Sequence, residues 1–538
     1  MSLHTQFFVV NNIKLSVNAS VQEAFSIARR KLRRTGISTE KLTFSIFRKS
    51  VDARNKDDVK LVYSISVCGE IPDLSKSKIS DSDITVFNEQ VLPDVSVGSD
   101  KLTAPPLIVG AGPSGLFAGL ILAERGYRPV IIERGGSVEE RKKAVSRFNT
   151  LGILDVNTNI QFGAGGAGTF SDGKLVTRIN DPMSSYVLRK LVEFGAPHEI
   201  LYLSRPHVGT DVLSVVIERL ICEIERLGGK VIYNTKYISS KNQGGETYAS
   251  TSNGEIPYSA LILAIGHSAR DTYDTLIERD FKIEGKPFSV GMRIEHLTKS
   301  IDEAMYGKFA GHRNLGHAEY NLSHNTKTRG VYTFCMCPGG EVVAASSEEG
   351  GVVVNGMSNH SRSGANSNSA VVCSIFKDDY GHSPKAAIEF QRNIERRAFA
   401  SSGSDYSAPI VTVGDFLLER AISEPTDIIP TYMSSSRTKI ISPERYLPPF
   451  ICGAIRDALV SFDKKIKGFA TASAILTGAE TRTSAPVRIL RDSDSRIAIG
   501  TENIYPCGEG AGYAGGITSA AIDGIKTAYA VIKKYKPI

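Results

Sequence analysis

One short stretch constrains this chain more than any other. An apolar strand, Leu107-Ile-Val109, runs into Gly110-Ala-Gly112-Pro113-Ser114-Gly115, and a helix is predicted over 113–125. Gly110 permits a tight turn, Gly112 lets a pyrophosphate approach the backbone, and Gly115 lets the helix pack closely on the strand. The helix start adds unpaired N–H groups and the positive end of its dipole, both suited to phosphate. The next apolar run, Val130-Ile-Ile-Glu133, ends on a carboxylate that can accept the hydrogens of a ribose diol. With strand, helix and acid in register, the stretch predicts a bound dinucleotide rather than a packing turn. Arg134 and Arg141, which follow the acid, are assigned to the same cofactor site.

Two further glycine-rich segments name the dinucleotide. The first, Phe162-Gly-Ala-Gly165-Gly166-Ala-Gly168-Thr169-Phe-Ser171-Asp172-Gly173-Lys174, has enough glycine for close backbone approach to a flat ring, with Thr169 and Ser171 as donors. Lys174 reads equally as a cation near the ring or as a surface lysine. The second, Tyr505-Pro-Cys-Gly508-Glu509-Gly510-Ala-Gly512-Tyr-Ala-Gly515-Gly516-Ile517, precedes a helix predicted over 518–532. It resembles the C-terminal segment with which glutathione-reductase-type flavoproteins hold the ribityl chain and set a helix start against the reduced ring. Glu509 stands where many of them carry Asp, and its longer side chain still reaches a ribityl hydroxyl. Together the three segments point to FAD rather than NAD, because an NAD-binding fold needs no such C-terminal return. The strand at 261–265 ends on the single Gly266, followed by His267, and no second Gly-x-Gly-x-x-Gly is present. NADH or NADPH, if used, would bind transiently in the substrate crevice.

The resemblance extends along most of the 538 residues. The strings Lys286-Pro-Phe-Ser-Val-Gly-Met-Arg293-Ile-Glu295-His296, Tyr332-Thr-Phe-Cys335-Met-Cys337-Pro-Gly-Gly340, Val354-Asn-Gly-Met-Ser358 and Glu480-Thr-Arg482-Thr-Ser484-Ala-Pro486-Val-Arg488-Ile489 resemble the FAD-dependent dehydrogenase family of bacteria and plastids, the NAD(FAD)-utilising dehydrogenase-like flavoproteins. That resemblance implies a fold and a cofactor but no substrate. The expected class is α/β: a Rossmann-like FAD-binding domain of glutathione-reductase type, interrupted by an α+β substrate domain, with a small N-terminal α/β module. The divisions are 1–72 for the module, 73–104 for a linker or extended arm, 105–273 and 485–538 for the two parts of the FAD domain, and 274–484 for the insertion. In the module, strands are expected at 7–17, 42–47 and 59–67, around a helix at 21–32. In the insertion, strands are expected at 288–295, 330–337 and 341–346, polar loops around 355–369, and helices at 384–400 and 465–478.

The expected activity is a FAD-dependent oxidoreductase acting on a small molecule between the two domains, the flavin doing the redox step. Arg293, His296 and Arg482 are the candidate catalytic residues. Alternation puts Arg293 and Glu295 on one strand face, as a carboxylate clamp or a structural ion pair. Cys335 and Cys337 read as buried strand cysteines, since same-face neighbours diverge too far for an easy disulfide. No metal is expected, because no second ligand pair accompanies them. The basic run Arg29-Arg30-Lys31-Leu-Arg33-Arg34, with Arg48, Lys49 and Arg54, allows RNA docking as an alternative. The solvated-face reading is preferred, since no aromatic stacking motif accompanies the run. A net charge of +7 is modest for this length, and the seven scattered cysteines fit a reducing cytoplasm. No signal peptide or membrane span is expected, and nothing in the sequence fixes an oligomeric state.

Overall fold

The computed structural model describes residues 4–71, 82–87, 92–170, 172–175, 181–326 and 329–537. Its organising element is a five-stranded parallel sheet, ordered Ile504–Pro506, Leu261–Leu263, Leu107–Val109, Val130–Ile132, Lys230–Ile232. The first three are completely buried. They show no polar alternation because parallel strands covered on both faces need apolar residues throughout. The chain's last segment completes a sheet begun some 400 residues earlier. The helix Pro113–Glu124 is buried along nearly its whole length, since the helix Ile517–Lys534 packs against it. Glycine sets that approach: a methyl group at Gly524 would stand 2.1 Å from the Ser114 carbonyl oxygen.

A second, seven-stranded sheet runs Ser323–Asn325, Gly330–Cys337, Asn366–Ile375, Phe288–Leu297, Ile475–Glu480, Ala408–Thr412, Thr438–Ile440. Two sequence expectations fail in it. The stretch 366–369, expected as polar loop, is a buried strand. Its polarity is tolerated because each side chain is paired: Asn366 with Glu295, Ser367 with Thr298, Asn368 with Arg293, and Ser369 with Tyr320. The helix expected at 465–478 instead lies at Pro449–Lys465, and Ile475–Glu480 is a central strand. Burial of all six residues 475–480 decides for a strand there. The Pro448-Pro449 pair was the usable helix-start signal.

The N-terminal sheet is ordered Thr43–Asp52, Lys60–Ile71, His4–Ser16, Ile84–Phe87. The helix Val21–Arg34 faces the core with Ala24, Ala28 and Leu32. Part of the stretch read as a linker is therefore structured: Ile84–Phe87 is the fourth strand, and Asp100–Lys101 pairs with Tyr535–Lys536. Several members of the basic run are engaged within the chain. Arg29 lies over the Phe44 ring, Lys31 pairs with Asp83, Arg33 donates to Thr39, Arg48 to Ser204, and Arg54 pairs with Asp52. These contacts favour the solvated-face reading. Among the described residues, no helix is long and apolar enough to cross a membrane.

Candidate functional site

The parallel sheet delivers its turns into one cleft, and the glycines of the first turn serve different masters. Gly110 sits at φ +104°, donates to the Ile132 carbonyl at 2.8 Å, and would set a methyl group 2.3 Å from the Ala264 carbonyl oxygen. At Gly115 a methyl would stand 1.9 Å from the Gly110 oxygen. Both glycines are required by the fold. Gly112 is not: its φ is −79°, and a methyl there would meet Gly166 Cα at an ordinary 3.8 Å. Gly112 lines the cleft, so the space beside it is a cradle that a Cβ would fill. The helices Pro113–Glu124 and Ile517–Lys534 both begin there, after Gly112 and Gly516, with Pro113, Ser114 and Ile517 in the lining. Their first N–H groups have no intrahelical acceptor and aim positive dipole ends at an anion.

Glu133 also lines the cleft, and it organises the site. Its carboxylate accepts from the backbone N–H of Ala111 at 2.9 Å, Gly135 at 3.0 Å and Gly163 at 2.9 Å. One side chain thus ties the first turn to the 162–170 loop. Arg134, in the lining, is held by Asp271 at 3.0 Å and stacks over Phe162. Arg141 stands one layer behind. Its guanidinium donates to the carbonyls of Asn159, Ile160 and Ala164 at 2.6–2.8 Å, and burial lowers its pKa to about 9. It shapes the loop and does not reach into the cleft. Thr169 likewise donates to the Ala164 carbonyl at 3.1 Å, against Gly165, while Gly166 reaches the lining. Ser171 lies outside the described residues.

At the other edge, Gly508 donates its N–H to Asp523 at 2.8 Å, fixing the turn that presents Glu509 and Gly516 to the cleft. Burial pushes the Glu509 carboxyl up to about 7, against the pull of Lys286. Gly266 lines the floor at φ +75°, and Tyr273 donates to the Gly510 carbonyl at 2.7 Å. Beside it, burial and Arg482 lower the His267 pKa to about 4. A neutral imidazole there donates Nε2–H to the Arg482 carbonyl at 3.1 Å, which makes His267 structural rather than acidic.

The far wall is supplied by the second sheet: Cys335, Asn355, Glu480, Arg482 and Thr483. Of the three candidate catalytic residues, the cleft receives Arg482 alone. Arg482 is committed to Glu395 at 3.0 Å and to Ser347. Arg270 binds the same Glu395 through two bonds of 2.7 Å and adds Glu348. Burial opposes Glu395 ionisation, but Arg270 and Arg482 outweigh it and hold the carboxyl well below the usual range. Arg293 lies behind the wall, bonded to Glu480 at 3.0 Å and to Asn368 at 2.7 Å. Its ion-pair partner is therefore Glu480 and not Glu295, which Thr431 and Asn366 hold. Burial, against Arg293, lifts the Glu480 carboxyl above its ordinary value. His296 is a core residue, 2.7 Å from the Phe469 carbonyl and packed on that ring. Asn355, Glu480 and Thr483 were not singled out from sequence as wall residues, although all three lie in or beside the strings that carried the family resemblance. Cys335, read as a buried strand cysteine, is half-buried and faces the cleft.

Comparisons with known proteins agree with this cradle. Residues 103–155 match the model of a FAD binding domain, 287–483 that of a FAD-dependent protein, C-terminal domain-like, and 9–68 that of a domain of unknown function. An uncharacterized protein of Clostridium beijerinckii is 43% identical over 532 residues, covering 98% of each chain. Among solved structures, the halogenase PltM is 11% identical at a TM-score of 0.35, over 80% of this chain and 67% of its own. The aklavinone-11 hydroxylase in complex with FAD and aklavinone is 13% identical at a TM-score of 0.33, over 80% and 62%. The chain belongs with the clostridial protein in a family of FAD-dependent flavoproteins, with FAD as cofactor.

Proposed function

We propose that this member of a FAD-dependent flavoprotein family oxidises or reduces a small, hydrogen-bonding organic molecule held between the parallel sheet and the wall of the second sheet. One observation carries the reading: a single cleft runs from the two helix N-termini at Gly112 and Gly516 to Cys335, Asn355, Glu480 and Thr483. Bound FAD supplies two-electron redox chemistry at its flavin N5. The chain supplies the rest. Gly112 and the start of the helix Pro113–Glu124 hold the pyrophosphate, Glu133 meets the ribose, and Glu509 meets the ribityl hydroxyls while the start of Ile517–Lys534 faces the reduced ring, in the manner of glutathione-reductase-type proteins. On this reading 105–273 and 485–538 form the cofactor domain around a substrate domain at 274–484. Asn355 and Thr483 orient the substrate through their polar side chains. Glu480, kept protonated more readily by burial, is placed to give or take a proton at the wall. A reduced nicotinamide donor would enter the same cleft.

The test uses FAD-loaded protein reduced anaerobically with dithionite, then reoxidised by a panel of small quinones and enones while the flavin absorbance is followed. Glu480→Gln, Asn355→Ala and Thr483→Val are expected to change the rate for at least one acceptor while FAD stays bound. Wild-type rates in all three variants with every acceptor that reoxidises the protein would remove the wall from the reaction. Anaerobic bleaching by NADH or NADPH reads the nicotinamide step separately.

A further inference from the structure

We propose that Cys335 and Cys337 form a reactive dithiol in the cleft wall, with Cys335 as attacking sulfur and Cys337 as resolving sulfur, for exchange with disulfide-bearing small molecules. The inference goes beyond the reaction above and rests on the wall's own geometry.

The strand Gly330–Cys337 pairs regularly with Asn366–Ile375 as far as Phe334↔Ala370, and the next partners are Cys337↔Asn368. One extra residue is inserted, and Cys335 takes φ +47°. Bulges re-aim side chains beside functional sites, and a non-glycine residue at positive φ is a strained conformation that the surroundings must enforce. The bulge removes the objection raised by a regular strand, where same-face side chains diverge. Here Cys335 turns into the cleft, Cys337 stays buried, and the Cys337 thiol donates back to the Cys335 carbonyl at 3.4 Å.

Two cations face the pair. Arg293 Nη1 lies 3.2 Å from the Cys335 carbonyl oxygen and 4.0 Å from Cys337 Sγ. Lys174 Nζ is sealed from solvent and has no hydrogen-bond partner among the described residues, with Asp172 3.3 Å away. The Cys337 hydrogen bond, aided by Lys174 and Arg293, brings the Cys335 thiol well below its ordinary value, whereas burial pushes Cys337 up. The pair is thus unequal, with Cys335 giving up its proton more readily than Cys337. Ordinary core cysteines in the same chain behave differently: burial drives Cys373 up to about 11 and Cys452 up to about 12.

In the first step the Cys335 thiolate attacks one sulfur of RS–SR. That S–S bond breaks, RS⁻ leaves, and a mixed disulfide forms on Cys335. Cys337 then gives up its proton and attacks Cys335 Sγ, displacing the second RS⁻, which accepts the proton. The dithiol loses two electrons to the small disulfide, which ends as one thiol and one thiolate, the latter taking its proton from water.

The test treats FAD-loaded protein carrying Cys222→Ser, which removes an exposed thiol, with dipyridyl disulfide at pH 7. Cys335 is expected to react about tenfold faster than the half-buried Cys68. The peptide holding both wall cysteines should then be recovered two hydrogens lighter and free of pyridyl adduct. With Cys337→Ser the adduct should stay on Cys335, and with Lys174→Met the reaction should slow and its pH midpoint rise. Both read chemistry at sulfur, independently of turnover. Reaction of Cys335 no faster than Cys68, or a pyridyl adduct that persists beside an intact Cys337, would overturn the proposal.

Discussion

Gly112→Ala separates what the fold requires from what the cofactor requires. The wild-type φ of −79° suits alanine, and the added methyl finds its nearest neighbour, Gly166 Cα, at 3.8 Å. Alanine caps a helix less well than glycine, at a cost of roughly 0.5–1 kcal/mol, while the stiffer unfolded chain returns about 0.4–1 kcal/mol. The FAD-free protein should therefore keep its stability to within about 1 kcal/mol. The methyl does, however, fill the cradle where the pyrophosphate approaches the helix start. Losing two charge-assisted N–H bonds to phosphate, at about 1.5–3 kcal/mol each, removes about 3–6 kcal/mol. That corresponds to FAD affinity weaker by about 10² to 10⁴. The measurements are FAD titration of deflavinated protein by fluorescence quenching and urea unfolding of the same preparation. Gly115→Ala is the contrasting control, because its methyl would lie 1.9 Å from a backbone oxygen and should cost the fold itself. An unchanged FAD affinity in a folded Gly112→Ala protein would refute the placement of the pyrophosphate.

Glu133→Gln leaves one carbonyl oxygen and an amide donor where the carboxylate accepted three N–H groups. The FAD-free protein should lose about 3 kcal/mol, seen as a thermal midpoint about 6–12 °C lower where the proposed FAD domain, 105–273 with 485–538, unfolds as one cooperative unit; an unchanged midpoint would reduce Glu133 to a ligand contact. Glu509 gives a pH dependence. Its folded pKa, near 7 by burial, lies above the unfolded carboxylate value, so the folded state holds the extra proton and stability falls as pH rises from about 4.5 to about 7. Urea midpoints of FAD-free protein across that range should show the slope, and Glu509→Gln should flatten it.

The cofactor half of the site was legible because its demands are local. A tight turn, a helix start and an acid at a strand end are each written within a few residues around Gly110, Glu133 and Gly508. The wall was not, because its properties arise from residues far apart in the chain. Asn366 to Ser369 looked like loop until their partners on Glu295, Thr298, Arg293 and Tyr320 were in place. Alternation left Arg293 and Glu295 as a carboxylate clamp or an ion pair, yet Glu480 arrives from the neighbouring strand and takes Arg293. Cys335 was hidden by the same rule, since alternation fails wherever a strand carries one extra residue.

The glycines show a subtler limit. In the sequence Gly110, Gly112 and Gly115 form one fingerprint with one meaning. In the fold, a methyl at Gly110 or Gly115 collides with backbone, whereas one at Gly112 collides with none of the described residues. A glycine that its own protein does not need is best explained by something the protein holds, and the two helix starts beside it say that this something is an anion. The fit between cradle and cofactor therefore rests on the physics of this chain, independently of any likeness to other flavoproteins.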